Sequence, residues 1–216
     1  MEKFLEQIGS AEESNENVAE VEKEAVRNLK DLGLDFGYLK NKLTLDIGAG
    51  AAEIAAVAKN KGIEVVSLDL NPGMWAAQGV KIPDVPYVRA SAEAMPFPDK
   101  KFDLIISHAG PLSIVPSKKL IASIITEAKR VLKDGGELRF GPGNLNSEVF
   151  TTEELFSQEE MTLFTREQRI ERIEQKSLEF LKSLDPRITQ EKIDEPSGDL
   201  AKHFYRLKKA VDWIGK

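Results

Sequence analysis

Hydrophobic positions along the chain follow two periods, and the switches between them mark out its elements. From Asn17 the residues Val18, Val21, Ala25, Val26, Leu29 and Leu32 recur at helical spacing until Gly33, which predicts an amphipathic helix lying against the rest of the domain. A connector, LDFGYLKNK, leads to a β-rich run at Leu43. The stretch Leu43 to Ala55, LTLDIGAGAAEIA, runs from that strand through a turn with two glycines into an Ala-rich helical pattern expected from Ala52 to Asn60. Then come a strand from Glu64 to Asp69, a short helix near Gly73 to Gln78, and a strand from Pro86 to Ala90. After the turn-rich MPFPDKK follow a strand from Phe102 to Ser107, a helix from Ser117 to Leu132, the pair Gly135-Gly136 and a strand from Glu137 to Phe140.

The last third is less regular. Gly141-Pro142-Gly143-Asn144 opens a loop carrying Phe150, Leu155, Phe156, Met161 and Phe164. Ile170, Ile173, Leu178, Leu181 and Leu184 mark a helix with densely charged other faces, ended by Pro186. Arg187 to Asp194 and His203 to Val211 alternate like strands around the turn residues EPSGD, which predicts a closing antiparallel hairpin. Residues 1–14 are polar and charged, broken by Gly9-Ser10, and no repeat or low-complexity segment is found.

Strands alternating with helices imply parallel pairing through right-handed crossovers, hence a doubly wound α/β sheet. In such sheets ligands sit beyond the carboxyl ends of the strands, where strand order reverses. Asp46, Asp69, Ser91 and His108 all fall at or just past such ends. Two parts are expected: an N-terminal helical extension over residues 1–40, a candidate lid, and a ligand-binding domain over 41–216.

Composition narrows the chemistry. A length of 216 residues suits one α/β domain and not two catalytic ones. The net charge of -6, with no basic block interleaved with aromatics, argues against nucleic acid as a partner. The absence of cysteine excludes disulfides, thiolate metal sites and a cysteine nucleophile, and two well-separated histidines leave no metal-ligand spacing. The acidic start lacks a signal-peptide core and no apolar run approaches a membrane span, so no membrane association and a soluble, cytoplasmic protein are expected. Oligomeric state is not legible.

With Asp69 about twenty residues past the glycine turn, the first strand-turn-helix outlines a site for an adenosine-containing ligand. A dinucleotide fingerprint wants a third small residue three positions after Gly50, where this chain has Glu53. That carboxylate, with Asp46 before the turn, would oppose a diphosphate by on the order of 1 kcal/mol per charge pair in water and about 4 in a surface cleft. A ligand with a cationic amine suits the loop better, since Asp46 helps neutralise positive charge while loop amides take a carboxylate. S-adenosylmethionine (SAM) is such a ligand, and Asp69 would accept two hydrogen bonds from its ribose diol.

Four stretches in one order, LDIGAGAAEIA, VVSLDLNP, SAEAMPFPDKKFDLIIS and EAKRVLKDGGELRF, resemble the class I SAM-dependent methyltransferases, particularly the small-molecule group called the methyltransferase 11 type. The likeness spans about Leu43 to Phe140. It implies a Rossmann-like methyltransferase fold: a mostly parallel seven-stranded sheet whose last two strands form the C-terminal antiparallel hairpin. It also implies that Asp46, Gly48, Ala49 and Gly50 surround the methionine part of SAM, and that Asp69 and Leu70 meet ribose and adenine. Ser91, Ala92 and Glu93 would lie at the adenine edge, and Ser107 and His108 beneath the sulfonium. Ala52 departs from the family's usual third glycine, and Ser91 from the aspartate common at the adenine amino group.

Each singled-out residue has a plainer reading. Asp69 could cap the following turn Asn71-Pro72-Gly73, Trp75 could cover the sheet edge instead of stacking near adenine, and Phe150, Phe156 and Phe164 could be core instead of a lid. Asp103 reads as a structural partner for backbone amides. His108 reads as a proton acceptor for a substrate hydroxyl or amine, or as a satisfied polar contact. The expected function is methyl transfer from SAM to a small molecule. The alternatives are a non-catalytic SAM- or adenosine-binding module of the same fold, and an NAD(P)-dependent oxidoreductase.

Overall fold

The computed structural model describes residues 18–71, 84–115, 117–142, 145, 149–193 and 203–210. The expected helix near 73–78, Trp75, the EPSGD turn and the first seventeen residues lie outside them.

Strands β1 (Thr44–Ile47), β2 (Val65–Asp69), β3 (Tyr87–Arg89), β4 (Phe102–His108), β5 (Leu132–Gly141), β6 (Thr189–Lys192) and β7 (His203–Lys208) form one seven-stranded sheet. Its order is β3-β2-β1-β4-β5-β7-β6. The first five strands are parallel, and β7 runs antiparallel to both β5 and β6. Strand order therefore reverses between β1 and β4, and this switch point places the site.

The sheet is covered on both faces, which is why β1 reads as an unbroken buried run. On one face α1 (residues 18–30) and α3 (Glu53–Asn60) bring Ala25, Leu29, Leu32, Ile54 and Ala58 against Leu104, Ile106 and Phe204. On the other, α5 (Lys118–Val131) and α8 (Arg166–Leu184) cover Leu45, Ile105, Leu138 and Tyr205. Helix α5 shows why the periodicity was readable. Its buried residues Ile121, Ile124, Ile125, Ala128 and Val131 sit three or four apart, and Ser117 caps its start by accepting the N–H of Leu120.

Two stretches differ from the pattern-based expectation. Strand β5 begins at Leu132, before Gly135-Gly136, because Leu132 pairs with Phe102 and the two glycines exchange backbone hydrogen bonds with Lys209. The register shifts between Phe102 and Leu104, and Gly135, at φ +76°, takes up the irregularity. The expected loop after Asn144 holds two short helices, α6 (Thr152–Leu155) and α7 (Gln158–Leu163). Both, and α8 after them, open on a capping box: Thr151 with Glu154, Ser157 with Glu160, Thr165 with Gln168. A one-turn helix shows no period, so only the caps announce it. Short helices α2 (Phe36–Leu39) and α4 (Pro111–Ile114) escaped notice for the same reason. Phe150 is core, while Phe156 and Phe164 meet edge to face at 6.1 Å.

Candidate functional site

The site forms where the loops after β1 and β4 meet. Past Ile47 the chain turns through Gly48 and Gly50, both in the left-handed region at φ +74° and +56°. A Cβ on Gly48 would lie 2.5 Å from Cδ of Pro111, and one on Gly110 would lie 2.6 Å from the Ile47 carbonyl. Glycine at both positions lets the two loops touch. Ser107, buried at the end of β4, donates its hydroxyl to the Ile47 carbonyl at 2.9 Å and holds the strand ends level.

The turn is wired to β2. The N–H groups of Gly48 and Ala49 both donate to the Leu68 carbonyl, at 2.7 and 3.2 Å. That of Gly50 donates to Oδ2 of Asp69 at 3.1 Å, and Oδ1 of Asp69 accepts the N–H of Asn71 at 2.8 Å. Tyr87, on β3, donates its hydroxyl to the Gly50 carbonyl at 2.7 Å. The expectation that loop amides take a ligand carboxylate is thus corrected for residues 48–50, whose donors are used within the protein. Asp69 keeps a lone pair on each oxygen for a diol.

Acidic groups dominate the electrostatics. Asp46 is 4% exposed, and burial first, then Glu53 and Asp69, push its carboxyl up to about 7. Burial also raises Glu53, and burial with the charges of Asp69, Asp46 and Glu53 raises the Tyr87 phenol. Beside them lies a cavity of about 300 Å³ whose described walls carry no lysine or arginine. Of the sequence-predicted residues, Gly48, Asp69, Leu70, Ser91, Ala92 and Glu93 line it. Asp46, Ala49, Gly50 and Ser107 shape the loop behind it without reaching the wall. Ala109, Pro111, Leu120 and Ile124 complete an apolar slot with Leu70 and Ile114, which are 63% and 59% exposed. Ser91 Oγ accepts the N–H of Glu93 at 3.3 Å, which fixes the loop after β3.

His108 stands apart from the cavity wall. Its Nε2 lies 3.2 Å from Oδ2 of Asp31, just past α1, which is 1% exposed, while His108 itself keeps 15% of its side chain exposed. Burial lowers the His108 pKa in spite of the pull of Asp31. Asp31 and Tyr87 were missed in the sequence. An acid beside a helix C-terminus opposes the helix dipole, a signal that Asp31 had a partner elsewhere; Tyr87 carried none.

This arrangement fits an adenosine ligand bearing positive charge. The buried acids favour a cation, Asp69 is aimed by two backbone donors, and the slot beyond it is apolar as a base requires. It does not favour a diphosphate, which would meet the same acids. Among the described residues no group of histidine and acidic side chains could hold a metal ion, and no helix is long and apolar enough to cross a membrane.

An open α/β sheet with this strand order and a glycine turn at the switch point defines a class, the Rossmann-like methyltransferase fold. Residues 45–140, a little under half of the chain, match the family model described as a methyltransferase domain. A demethylmenaquinone methyltransferase of Renibacterium salmoninarum is 30% identical over 102 residues, 47% of this chain and 41% of its own length. The match thus spans about two fifths of the length of the curated relatives. A SAM-dependent methyltransferase structure from Methanosarcina mazei superposes with a TM-score of 0.52 at 22% identity, covering 80% of this chain and 94% of that one. The 1,6-didemethyltoxoflavin-N1-methyltransferase of Burkholderia thailandensis, solved with its substrate and S-adenosylhomocysteine, has a TM-score of 0.50 at 14% identity, covering 94% of this chain and 86% of that one. The two structures share the fold.

Proposed function

We propose that this chain binds SAM in the slot between the β1 and β4 loops and directs its methyl group to a small-molecule acceptor. The observation that carries the reading is the acidic ring of Asp46, Glu53 and Asp69 around a glycine turn, beside a cavity whose described walls carry no lysine or arginine. When bound, SAM supplies an electrophilic methyl group on a sulfonium. Asp46 and Glu53 bias the site toward that positive charge, Asp69 takes the ribose hydroxyls, and Leu70, Ser91, Ala92 and Glu93 receive the base. Gly48 lets the chain approach the methionine end closely, Ala49 and Gly50 shape the turn behind it, and Ser107 keeps the loop after β4 in register beneath it. The relative named for demethylmenaquinone and the structural neighbour solved with 1,6-didemethyltoxoflavin support a small-molecule acceptor. Helix α1 serves as the acceptor-side extension, in keeping with Asp31, just past its end, meeting His108.

The test is calorimetric titration with SAM, S-adenosylhomocysteine and NAD. Micromolar binding of the first two, without NAD, supports the reading. Preference for NAD would reinstate the oxidoreductase alternative. Binding of S-adenosylhomocysteine with no turnover across an acceptor screen would favour the non-catalytic module.

A further inference from the structure

Helix α1 lies on the α3 side of the sheet, and Asp31, in the turn that ends it, reaches the end of β4. A nearly fully buried carboxylate next to a helix C-terminus is held against the helix dipole, and here its Oδ2 lies 3.2 Å from Nε2 of His108. A carboxylate only accepts hydrogen bonds, so Nε2 of a neutral His108 carries the proton and Nδ1 carries the lone pair. Nδ1 has no hydrogen-bond partner among the described residues, and the ring keeps some exposure. Next along the chain, Ala109 and Gly110 line the cavity against Gly48. The imidazole is therefore oriented, kept in one tautomer, and placed one residue from the methyl-donor slot.

We propose that His108, positioned by Asp31, is the base that takes a proton from the acceptor, and that the acceptor accordingly presents its nucleophile as a weakly acidic O–H or N–H. This rests on the SAM reading of the slot. The acceptor gives one proton to Nδ1 of His108 and gains the methyl group. The carbon–sulfur bonding pair stays on sulfur, the sulfonium becomes a thioether, and the imidazolium returns its proton to water. Asp31 is a positioning residue: it fixes the tautomer and stabilises the imidazolium. The charged groups facing His108 are Asp31, Glu24 and Arg27, all on α1 or the turn after it. The first two favour the protonated ring, and Arg27 opposes it.

The chain has two histidines, so ¹⁵N-histidine labelling of the full-length protein gives two pairs of ring-nitrogen signals, assigned with His108→Gln. With S-adenosylhomocysteine bound, His108 should show the Nε2–H tautomer. Asp31→Asn should lower its titration midpoint by at least half a pH unit, and Asp31→Glu should restore it. An Nδ1–H tautomer, or a midpoint that ignores Asp31→Asn, overturns the proposal. The second readout is S-adenosylhomocysteine formed from SAM with catechol, histamine or 4-nitrophenol as acceptor. Catechol turnover identifies the hydroxyl arm and histamine turnover the amine arm. In either, His108→Gln should lower kcat at least 100-fold with KM for SAM unchanged, and the wild-type acid limb should move with Asp31→Asn. 4-Nitrophenol, largely ionised at pH 9, should lose less than tenfold. Equal loss for the ionised and un-ionised acceptors overturns the base assignment, as does failure to turn over any of the three. Failure to bind SAM in the calorimeter overturns instead the reading on which this one rests.

Discussion

Oδ2 of Asp69 accepts the N–H of Gly50 at 3.1 Å, so the carboxylate that ends β2 also shapes the turn that follows β1. Removing it costs twice, through the lost acceptor for a ribose and through the loosened turn. Asp69→Ala should weaken S-adenosylhomocysteine binding at least tenfold, about 1.4 kcal/mol. Asp69→Asn, which keeps an acceptor for Gly50 but meets the Asn71 N–H with a donor, should fall between. Calorimetry on the three proteins checks the order. Equal affinities would remove Asp69 from the ligand contact.

Asp46 gives the site a pH dependence whose sign follows from its raised carboxyl. The usual value is 3.8 and the folded one about 7, so between these the folded chain holds a proton that the unfolded chain has lost. Stability is therefore highest below about 4 with respect to this group and falls as pH rises toward 7. The full penalty is on the order of 4 kcal/mol above that. Asp46→Asn should raise the thermal midpoint at pH 8, leave it unchanged near pH 4, and weaken SAM at pH 8. Melts at the two pH values and one titration decide it. A variant less stable than the parent at pH 8 would mean that the acid is compensated by a partner.

What the sequence disclosed was what periodicity encodes. Strands β1, β2 and β4 are buried runs, α5 carries a full apolar stripe, and all were placed to within a few residues. The glycine turn and Asp69 were legible because they are local signals at strand ends. Helices α6 and α7 were not, because each is too short to show a stripe and is held by its cap. The start of β5 was lost because Gly135-Gly136 ordinarily marks a turn, and here the pairing with Lys209 keeps both in the ladder. Asp31 and His108 lie 77 residues apart, and nothing in a local pattern carries that contact.

Ala52 is a buried alanine in the left-handed region, φ +62° and ψ +35°, at the N-cap of α3. Its conformation costs about 1–2 kcal/mol. Ala52→Gly relieves that strain but gives up a buried methyl worth about 0.8 kcal/mol and frees the unfolded chain by about 0.4–1 kcal/mol. The three nearly cancel, so Ala52→Gly should sit within about 1 kcal/mol of the parent in urea. Ala52→Val adds branching at a positive φ in a packed core and should lose about 2 kcal/mol or more. A large gain for the glycine variant would show that the methyl itself crowds the turn.

Arg139, on β5, ties the Asp31–His108 pair to the sheet. It is buried between the rings of Tyr38 and Phe204, at 4.9 and 5.2 Å, pairs with Glu137, and donates to the carbonyls of Leu32 and Gly33 at 3.1 and 2.7 Å. Those carbonyls directly follow Asp31, so the arginine holds the end of α1 where Asp31 meets His108. Arg139→Met leaves two carbonyls without this donor and half of the compensation of Glu137 gone, although Arg206 and the Tyr38 hydroxyl still reach that acid at 3.0 Å. The expected loss is about 3 kcal/mol, the lower end for breaking a buried pair. Arg139→Lys keeps the charge but not the fork, and should lose less. As the end of α1 loosens, the titration midpoint of His108 should fall in the methionine variant toward that of Asp31→Asn. Urea unfolding measures the first effect and the ¹⁵N-histidine titration the second. A destabilised protein whose His108 titrates as in the wild type would mean that Asp31 is held in place without Arg139.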